Sequence, residues 1–267
     1  MPADISVVIP TFRRPRELAE AIGSALAQEG ATVEVIVIDD CPDGSAAPAV
    51  AAIADPRVSY RRNPVPTGGK PAVVRNLGWS GAAADVIHFL DDDDLVPPGH
   101  YRTVLDAFAR HPGVGVVFGR MEPFGDAALL PHERAYFARA ARRAAATRRF
   151  GAKWAYAARL YFGETLLVCS AGVVRRECVA AVGGFDAEIP LCEDVDFYAR
   201  VIRRFGAHFI DRVSVRYRIH PSLMHGAVVG DRVRQSYHRM LANYRAHWGS
   251  LDFWALRLFA RTVLRVL

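Results

Sequence analysis

Lysine is nearly missing from this 267-residue sequence: only Lys70 and Lys153 occur, so arginine carries almost all of the positive charge. Cysteine is sparse too. Cys41, Cys169, Cys178 and Cys192 form no C-x-x-C pair and no His/Cys cluster. That excludes zinc-finger spacing and a disulfide framework, and it fits a reduced, cytoplasmic protein. No apolar run approaches the roughly eighteen residues that a membrane-spanning helix needs. Met1-Pro2-Ala3-Asp4 does not begin a basic-then-apolar signal segment. G-x-G-x-x-G and G-x-x-x-x-G-K-[ST] are both absent, which disfavours the dinucleotide fingerprint and the P-loop. Gly68-Gly69-Lys70 has no Ser or Thr after it and reads as a loop. Repeats and flexible linkers are lacking as well, so one compact domain with helical appendages is expected. At 51% hydrophobic and 23% charged residues, the chain has the material for a core.

The formal net charge is +6, but it is unevenly spread. His132 to Arg176 carries ten basic and two acidic residues, and Arg232 to Leu267 carries seven and one. The remainder is acidic, with 25 acids against 17 bases.

The first half alternates strand and helix. Ile5–Ile9 predicts a buried strand stopped by Pro10, and Pro15–Gln28 an amphipathic helix. Val33–Ile38 predicts a second strand running into Asp39-Asp40, and Val58–Arg61 a third. A helix over Pro71–Ala84 precedes a strand at Val86–Leu90, which runs into Asp91-Asp92-Asp93-Asp94. Further on come a helix at Pro98–Arg110, a strand at Val114–Phe118 and a long helical stretch at Arg134–Arg159. A strand over Glu164–Ser170, a short helix at Arg175–Val182 and a helix at Asp194–Phe205 follow. Two short strands, Ala207–Asp211 and Val213–Tyr217, precede closing helices at Val229–His247 and Leu251–Val266. Repeated βα units of this length imply a mostly parallel sheet with helices on both faces, which binds ligands at the carboxyl ends of its strands. Asp39/Asp40 and Asp91–Asp94 fall at those ends.

Adjacent carboxylates at a buried strand end repel one another and are costly without a cation. Hard oxygen ligands suit Mg²⁺ or Mn²⁺, completed by water and substrate phosphates; a solvated turn capping the next helix is the competing reading. Asp39-Asp40 suits either a turn or hydrogen bonding to a ribose or base. Arg75 suits a phosphate or an ion pair. Glu193-Asp194 begins a helix, as a cap or as a general base. His220, ending Tyr217-Arg218-Ile219-His220, suits a metal, a phosphate or an ordinary surface role.

Taken together, Val7-Val8-Ile9-Pro10-Thr11-Phe12, Val37-Ile38-Asp39-Asp40, Arg75-Asn76-Leu77-Gly78, Phe89-Leu90-Asp91-Asp92-Asp93-Asp94, Gly183-Gly184-Phe185-Asp186 and Glu193-Asp194-Val195-Asp196 resemble, in order and spacing, the inverting nucleotide-sugar glycosyltransferases of family 2. That resemblance covers roughly residues 5–220. It implies a GT-A fold: a Rossmann-like, mostly parallel α/β sheet with a C-terminal helical extension. The domain would be 1–228, with a nucleotide-binding half at 1–120 and an acceptor-binding half at 121–228, followed by helices over 229–267. It further implies that Pro10, Thr11, Phe12, Arg13, Asp39, Asp40, Arg75, Asp91 and Asp92 surround the nucleotide sugar. Asp93 and His220 would hold Mn²⁺ or Mg²⁺, and Asp194 would be the base. Gly183, Gly184, Phe185, Glu193 and Arg218 would shape the sugar and acceptor pocket. The implied donor is a UDP- or dTDP-sugar, and the acceptor a saccharide, a lipid-linked or a small-molecule hydroxyl, with a homodimer left open. The acidic tract departs from the family pattern in holding four aspartates, which leaves the metal ligand uncertain by one position. No Q-x-x-R-W motif occurs, and together with the missing spanning helices this implies a single-addition rather than a processive enzyme.

Arg257, Arg261 and Arg265 recur every four residues beside Phe253, Trp254, Leu258, Phe259 and Leu264. Such a helix over 251–267 either lies in the inner face of a membrane or packs on the domain with its arginines in water. Nucleic-acid binding is not expected, because no recognisable motif accompanies the arginines and the strand ends are acidic. A nucleotidyltransferase of similar fold would carry a glycine-rich basic loop after the first strand, where Pro10-Thr11-Phe12-Arg13-Arg14 has no glycine.

Overall fold

The computed structural model describes residues 3–150, 153–162, 165–220 and 227–264. Among the described residues seven strands form one sheet: β1 (Ile5–Thr11), β2 (Val33–Asp39), β3 (Val58–Arg62), β4 (Val86–Phe89), β5 (Val116–Gly125), β6 (Gly172–Arg175) and β7 (Ala207–Ile219). Their order is β3-β2-β1-β4-β6-β5-β7. β6 runs antiparallel to both neighbours, whereas the other pairings are parallel. Helices α1 (Pro15–Leu26), α2 (Ala47–Ile53), α3 (Pro71–Trp79), α4 (His100–Arg110), α5 (Leu130–Thr147), α6 (Trp154–Tyr161), α7 (Arg176–Val182), α8 (Glu193–Phe205), α9 (Ala227–Trp248) and α10 (Ser250–Thr262) flank it.

Alternation along β1 sends its side chains to two cores. Val7 and Ile9 pack with Leu18 and Ile22 of α1 and Tyr101 of α4, while Val8 joins Ile87, Phe89 and the α8 side. Burial on both faces is why these strands read as unbroken apolar runs. Gly78 lets α3 lie directly on the sheet, since a Cβ there would come within 2.3 Å of Val8 Cγ1.

Several boundaries differ from the sequence expectation. β1 continues through Pro10, which pairs with Ile38, because the β4 register ends at Val8↔Phe89 and the proline faces no strand on that side. α3 stops at Trp79. The long helix expected over 134–159 is two helices: α6 folds back on α5, with Tyr156 OH donating to Ala144 O (3.0 Å) and Arg159 Nε to Thr147 Oγ1 (2.7 Å). The strand expected over 164–170 is not found among its described residues. Cys169–Ala171 is a 3₁₀ turn and β6 starts at Gly172, both held by the Tyr198 hydroxyl, which donates to Cys169 O and Gly172 O. The two strands expected after residue 207 are one, with register shifts opposite Phe118, Arg120 and Met121. Among the described residues no helix is long and apolar enough to cross a membrane. Arg265 lies outside the described residues.

Candidate active site

All the parallel strands point their carboxyl ends to one edge, and the polar residues gather there. The β2 end comes first. Asp39 accepts from Cys41 N (2.8 Å), Ala46 N (3.0 Å) and Tyr60 OH (2.9 Å). Asp40 accepts from Asn63 Nδ2 (2.7 Å), Thr67 N (2.9 Å), Thr67 Oγ1 (2.8 Å) and Gly69 N (2.7 Å). Burial opposes the charge on Asp40, but these donors outweigh it and hold the carboxyl below its usual range. Both carboxylates fix the loops that follow β2 and β3.

The turn after β4 is built otherwise. Four consecutive carboxylates spread over several partners, with Arg14 shared by Asp92 and Asp93. Asp91 meets Arg75 Nη2 at 2.5 Å. Asp92 accepts from Thr11 Oγ1 (2.7 Å) and Phe12 N (3.3 Å) and lies 3.4 Å from Arg14 Nη1. Asp93 pairs with Arg14 and lies 3.0 Å from His220 Nε2. Asp94 accepts from Arg218 N at 2.9 Å, and Arg218 Nε donates to Asp93 O at 2.7 Å. Burial, reinforced by Asp93, pushes the Asp92 carboxyl up to about 7. Burial with Asp93 and Asp91 raises Asp94 well above its usual range, and Asp94 Oδ2 is buried without a hydrogen-bond partner.

Arg75, buried on α3, joins this turn to the start of α8: Nη1 meets Glu193 Oε1 at 2.6 Å, and the guanidinium lies 5.3 Å from the Phe185 ring centre. Glu193 is thus an ion-pair partner. Its neighbour Asp194 accepts from Val195 N at 2.8 Å. Burial, reinforced by Glu193, raises the Asp194 carboxyl.

The Gly183-Gly184-Phe185 turn has a structural explanation. Gly183 (φ +76°) caps α7 in the left-handed conformation. Gly184 (φ +72°) leaves room for Asn76, whose Oδ1 would sit 2.4 Å from a Cβ there. Asn76 accepts from Phe185 N and donates to Phe185 O, both at 2.9 Å, and the Phe185 ring stacks on Phe197 with centroids 4.1 Å apart. The turn thereby locks the segment leading into α8 beneath Arg75. On its other side the glycines face α9 across a cavity of about 280 Å³ that Arg200, Asn243 and Trp248 also line.

Most of the expected residues converge: Thr11, Phe12, Arg75, Asp91, Asp92, Asp93, Glu193, Arg218 and His220 form one contact network. Pro10 is held in β1, paired with Ile38. Asp39 and Asp40 belong to the adjoining loops. Arg13, in contrast, is exposed with φ +59° and its guanidinium lies over the Phe12 ring. It is Arg14 that reaches the acidic turn, a residue the motif reading passed over although it stands next to the quoted Arg13. Ser170, whose Oγ accepts from Asp91 N (3.0 Å), was also missed, because nothing near it in the sequence forms a motif.

A divalent cation can be tested against this geometry. His220 Nε2 faces Asp93 Oδ2 and also lies 3.3 Å from Arg14 Nη2. One ring nitrogen cannot both donate to a carboxylate and accept from a guanidinium, yet carboxylate and imidazole together suit one Mn²⁺ or Mg²⁺. No group of three His, Cys, Asp or Glu forms a complete cage among the described residues. The pair therefore fits an ion that draws its remaining ligands from water and phosphate. A cavity of about 860 Å³ starts beside Gly125 at this edge and runs between α5 and β5/β7, lined by Arg120, Glu122, Phe124, Phe137, Arg142 and Arg216 among others.

The mostly parallel sheet with one reversed strand and carboxylates at the strand ends is the GT-A fold. The sequence model "Glycosyl transferase family 2" matches residues 6–180, and the chain belongs to that glycosyltransferase family. It is 41% identical over 106 residues to the succinoglycan biosynthesis protein ExoO of Rhizobium meliloti, covering 39% of this chain but only 29% of that one. It is 26% identical over 216 residues to the putative colanic acid biosynthesis glycosyl transferase WcaA of Escherichia coli, covering 76% and 67%. Among solved structures, the mannosyltransferase PcManGT of Pyrobaculum calidifontis, in complex with GDP-Man and Mn²⁺, superposes with a TM-score of 0.69 at 17% identity over 99% of this chain and 70% of that one. Residues 1–349 of S. aureus TarS, also solved with UDP and with UDP-GlcNAc, superpose with TM-scores of 0.62 to 0.65 at 14 to 16% identity; the match without ligand covers 92% of this chain and 66% of that one.

Proposed function

We propose that this glycosyltransferase moves a sugar from a nucleoside-diphosphate sugar to an acceptor hydroxyl in a single inverting displacement, one residue per encounter. The observation that carries this reading is the Arg75 bridge, which ties the acidic turn through Asp91 to the α8 start through Glu193. A diphosphate-binding edge and the lightly bonded Asp194 are thereby held in one rigid frame. Asp93 and His220 would hold Mn²⁺ or Mg²⁺, which when bound supplies positive charge against the diphosphate. Thr11, Phe12 and Arg75 would frame the nucleotide, with Arg14 added to the set, on loops that Asp39 and Asp40 hold in shape.

Asp194 would accept the hydroxyl proton as the acceptor oxygen bonds to the anomeric carbon and the bond to the diphosphate breaks. Its raised carboxyl suits a base that must hold the proton through the transition state. The acidic limb of kcat/KM should accordingly lie above the usual carboxylate range. The cavity along β5, α5 and β7 is the natural acceptor groove, and the names of ExoO and WcaA favour a role in glycan assembly. UDP- and dTDP-sugars remain the favoured donors; the GDP-Man complex of PcManGT adds GDP-sugars to a thermal-shift panel run with and without Mn²⁺. Asp194→Asn is expected to lower turnover on the order of 1000-fold or more while leaving donor affinity within about threefold. Equal loss of donor affinity would remove Asp194 from the base role.

A further inference from the structure

The last helix is divided between two environments. Phe253 and Leu256 of α10 are buried, Phe253 against Phe162 and Tyr244, and Phe259 packs on Trp154 of α6. The inward face is therefore committed to the domain. On the opposite face Leu251 is 90% exposed, Leu258 64% and Trp254 54%. Positions 251, 254 and 258 lie within one narrow stripe at about 100° per residue. Large side chains left in water along one stripe mark a surface that meets something apolar.

Charge identifies the occupant. Arg257 and Arg261 border the stripe, and Arg245 and Arg257 lie 5.7 and 5.1 Å from the Trp254 ring centre. Between Arg232 and Leu267 the single acid is Asp252. It is turned inward, paired with Arg203 at 2.8 Å and accepting a hydrogen bond from the Tyr244 hydroxyl. Lys153, exposed at the start of α6, stands next to Trp154, on which Phe259 packs. Leucine and tryptophan at the apolar–polar boundary, bordered by arginine and free of exposed acid, is the pattern of a helix lying in an anionic lipid interface.

We propose that the outer face of α10 docks the enzyme on an anionic membrane surface, with Leu251, Trp254 and Leu258 entering the interface and Arg257 and Arg261 meeting lipid headgroups. An acceptor carried on a lipid would then be met in two dimensions.

Co-sedimentation with vesicles of phosphatidylcholine alone, or of phosphatidylcholine with phosphatidylglycerol, tests this. The intact protein should pellet with the anionic vesicles and remain in solution with the neutral ones. The variant Leu251→Ser/Trp254→Ser/Leu258→Ser should bind about tenfold more weakly or less. Its thermal midpoint should fall little, because those side chains are more than half exposed. Arg257→Gln/Arg261→Gln should lose the preference for phosphatidylglycerol even if the triple variant folds poorly. No pelleting of the intact protein, equal pelleting of the triple variant, or an unchanged lipid preference in the arginine variant each overturns the proposal. So does a dimer in sedimentation velocity that the triple variant dissolves without any vesicle binding, which would make the stripe a contact between two copies. None of these readouts depends on transfer activity, so they stand or fall separately from the reaction proposed above.

Discussion

Asp39 and Asp40 end β2, Asp91 to Asp94 follow β4, and in the sheet only β1 lies between those strands. The two clusters share residue type and position at the carboxyl edge. They differ in who answers the charge. Neutral donors of the following loops surround Asp39 and Asp40, so those carboxylates are spent on architecture. The β4 turn leans on cations instead: Arg75 meets Asp91 and Arg14 meets Asp92 and Asp93, while Arg218 bonds the Asp93 carbonyl and Asp94 Oδ2 is left unpartnered. A buried charge met by groups that can be exchanged for others is poised for a ligand, whereas one met by its own backbone is not.

That contrast can be broken by moving charge on either side. The largest effect is expected from Asp93→Asn, with turnover falling on the order of 100- to 1000-fold while the thermal midpoint holds or rises, since a like charge leaves a crowded turn. A midpoint that collapsed with activity would place Asp93 on the architectural side. Next comes Asp40→Ala, which strands Asn63 Nδ2 and the amides of Thr67 and Gly69; about 3 kcal/mol of stability should go, or about 6–10 °C. Circular dichroism melts would read it. The smallest effect is a slope. Asp92 keeps its proton when folded up to about pH 7, whereas the unfolded carboxyl, at 3.8, loses it earlier. Between those values the folded state binds more protons, so this group makes stability fall as pH rises. Asp40, held low, does the reverse, and its contribution is lost as pH falls through the acid range. In EDTA, Asp92→Asn should flatten the decline between pH 4 and 7, and an unaltered slope would mean that Asp92 is not proton-linked.

The strand ends were readable because apolar runs halting on carboxylates report both burial and edge. Boundaries governed by distant side chains were not. Nothing in the text of β6 announces that Tyr198 hydroxyl bonds fix its start at Gly172, and nothing between residues 134 and 159 announces that Arg159 will fold α6 back onto Thr147. For the site, the ordered motifs located the converging residues well. What they hid was division of labour: Asp40 serving its loop, Glu193 serving Arg75, Gly184 making room for Asn76, and Arg14 rather than Arg13 reaching the acids. Each of these depends on a partner 23 to 118 positions away, which spacing along a chain does not encode.

The reversed strand has a consequence for how such an enzyme diversifies. β5 finishes at the carboxyl edge, and β6, running the other way, begins there. Everything from residue 126 to 171 therefore leaves and rejoins the sheet on the ligand side, like a detachable cartridge. Its end is fixed, because Ser170 Oγ accepts from Asp91 N, but the α5 part that lines the cavity can vary while the strands bearing the acidic turn stay in place, so under the proposed reaction new acceptors could be explored around one donor cradle.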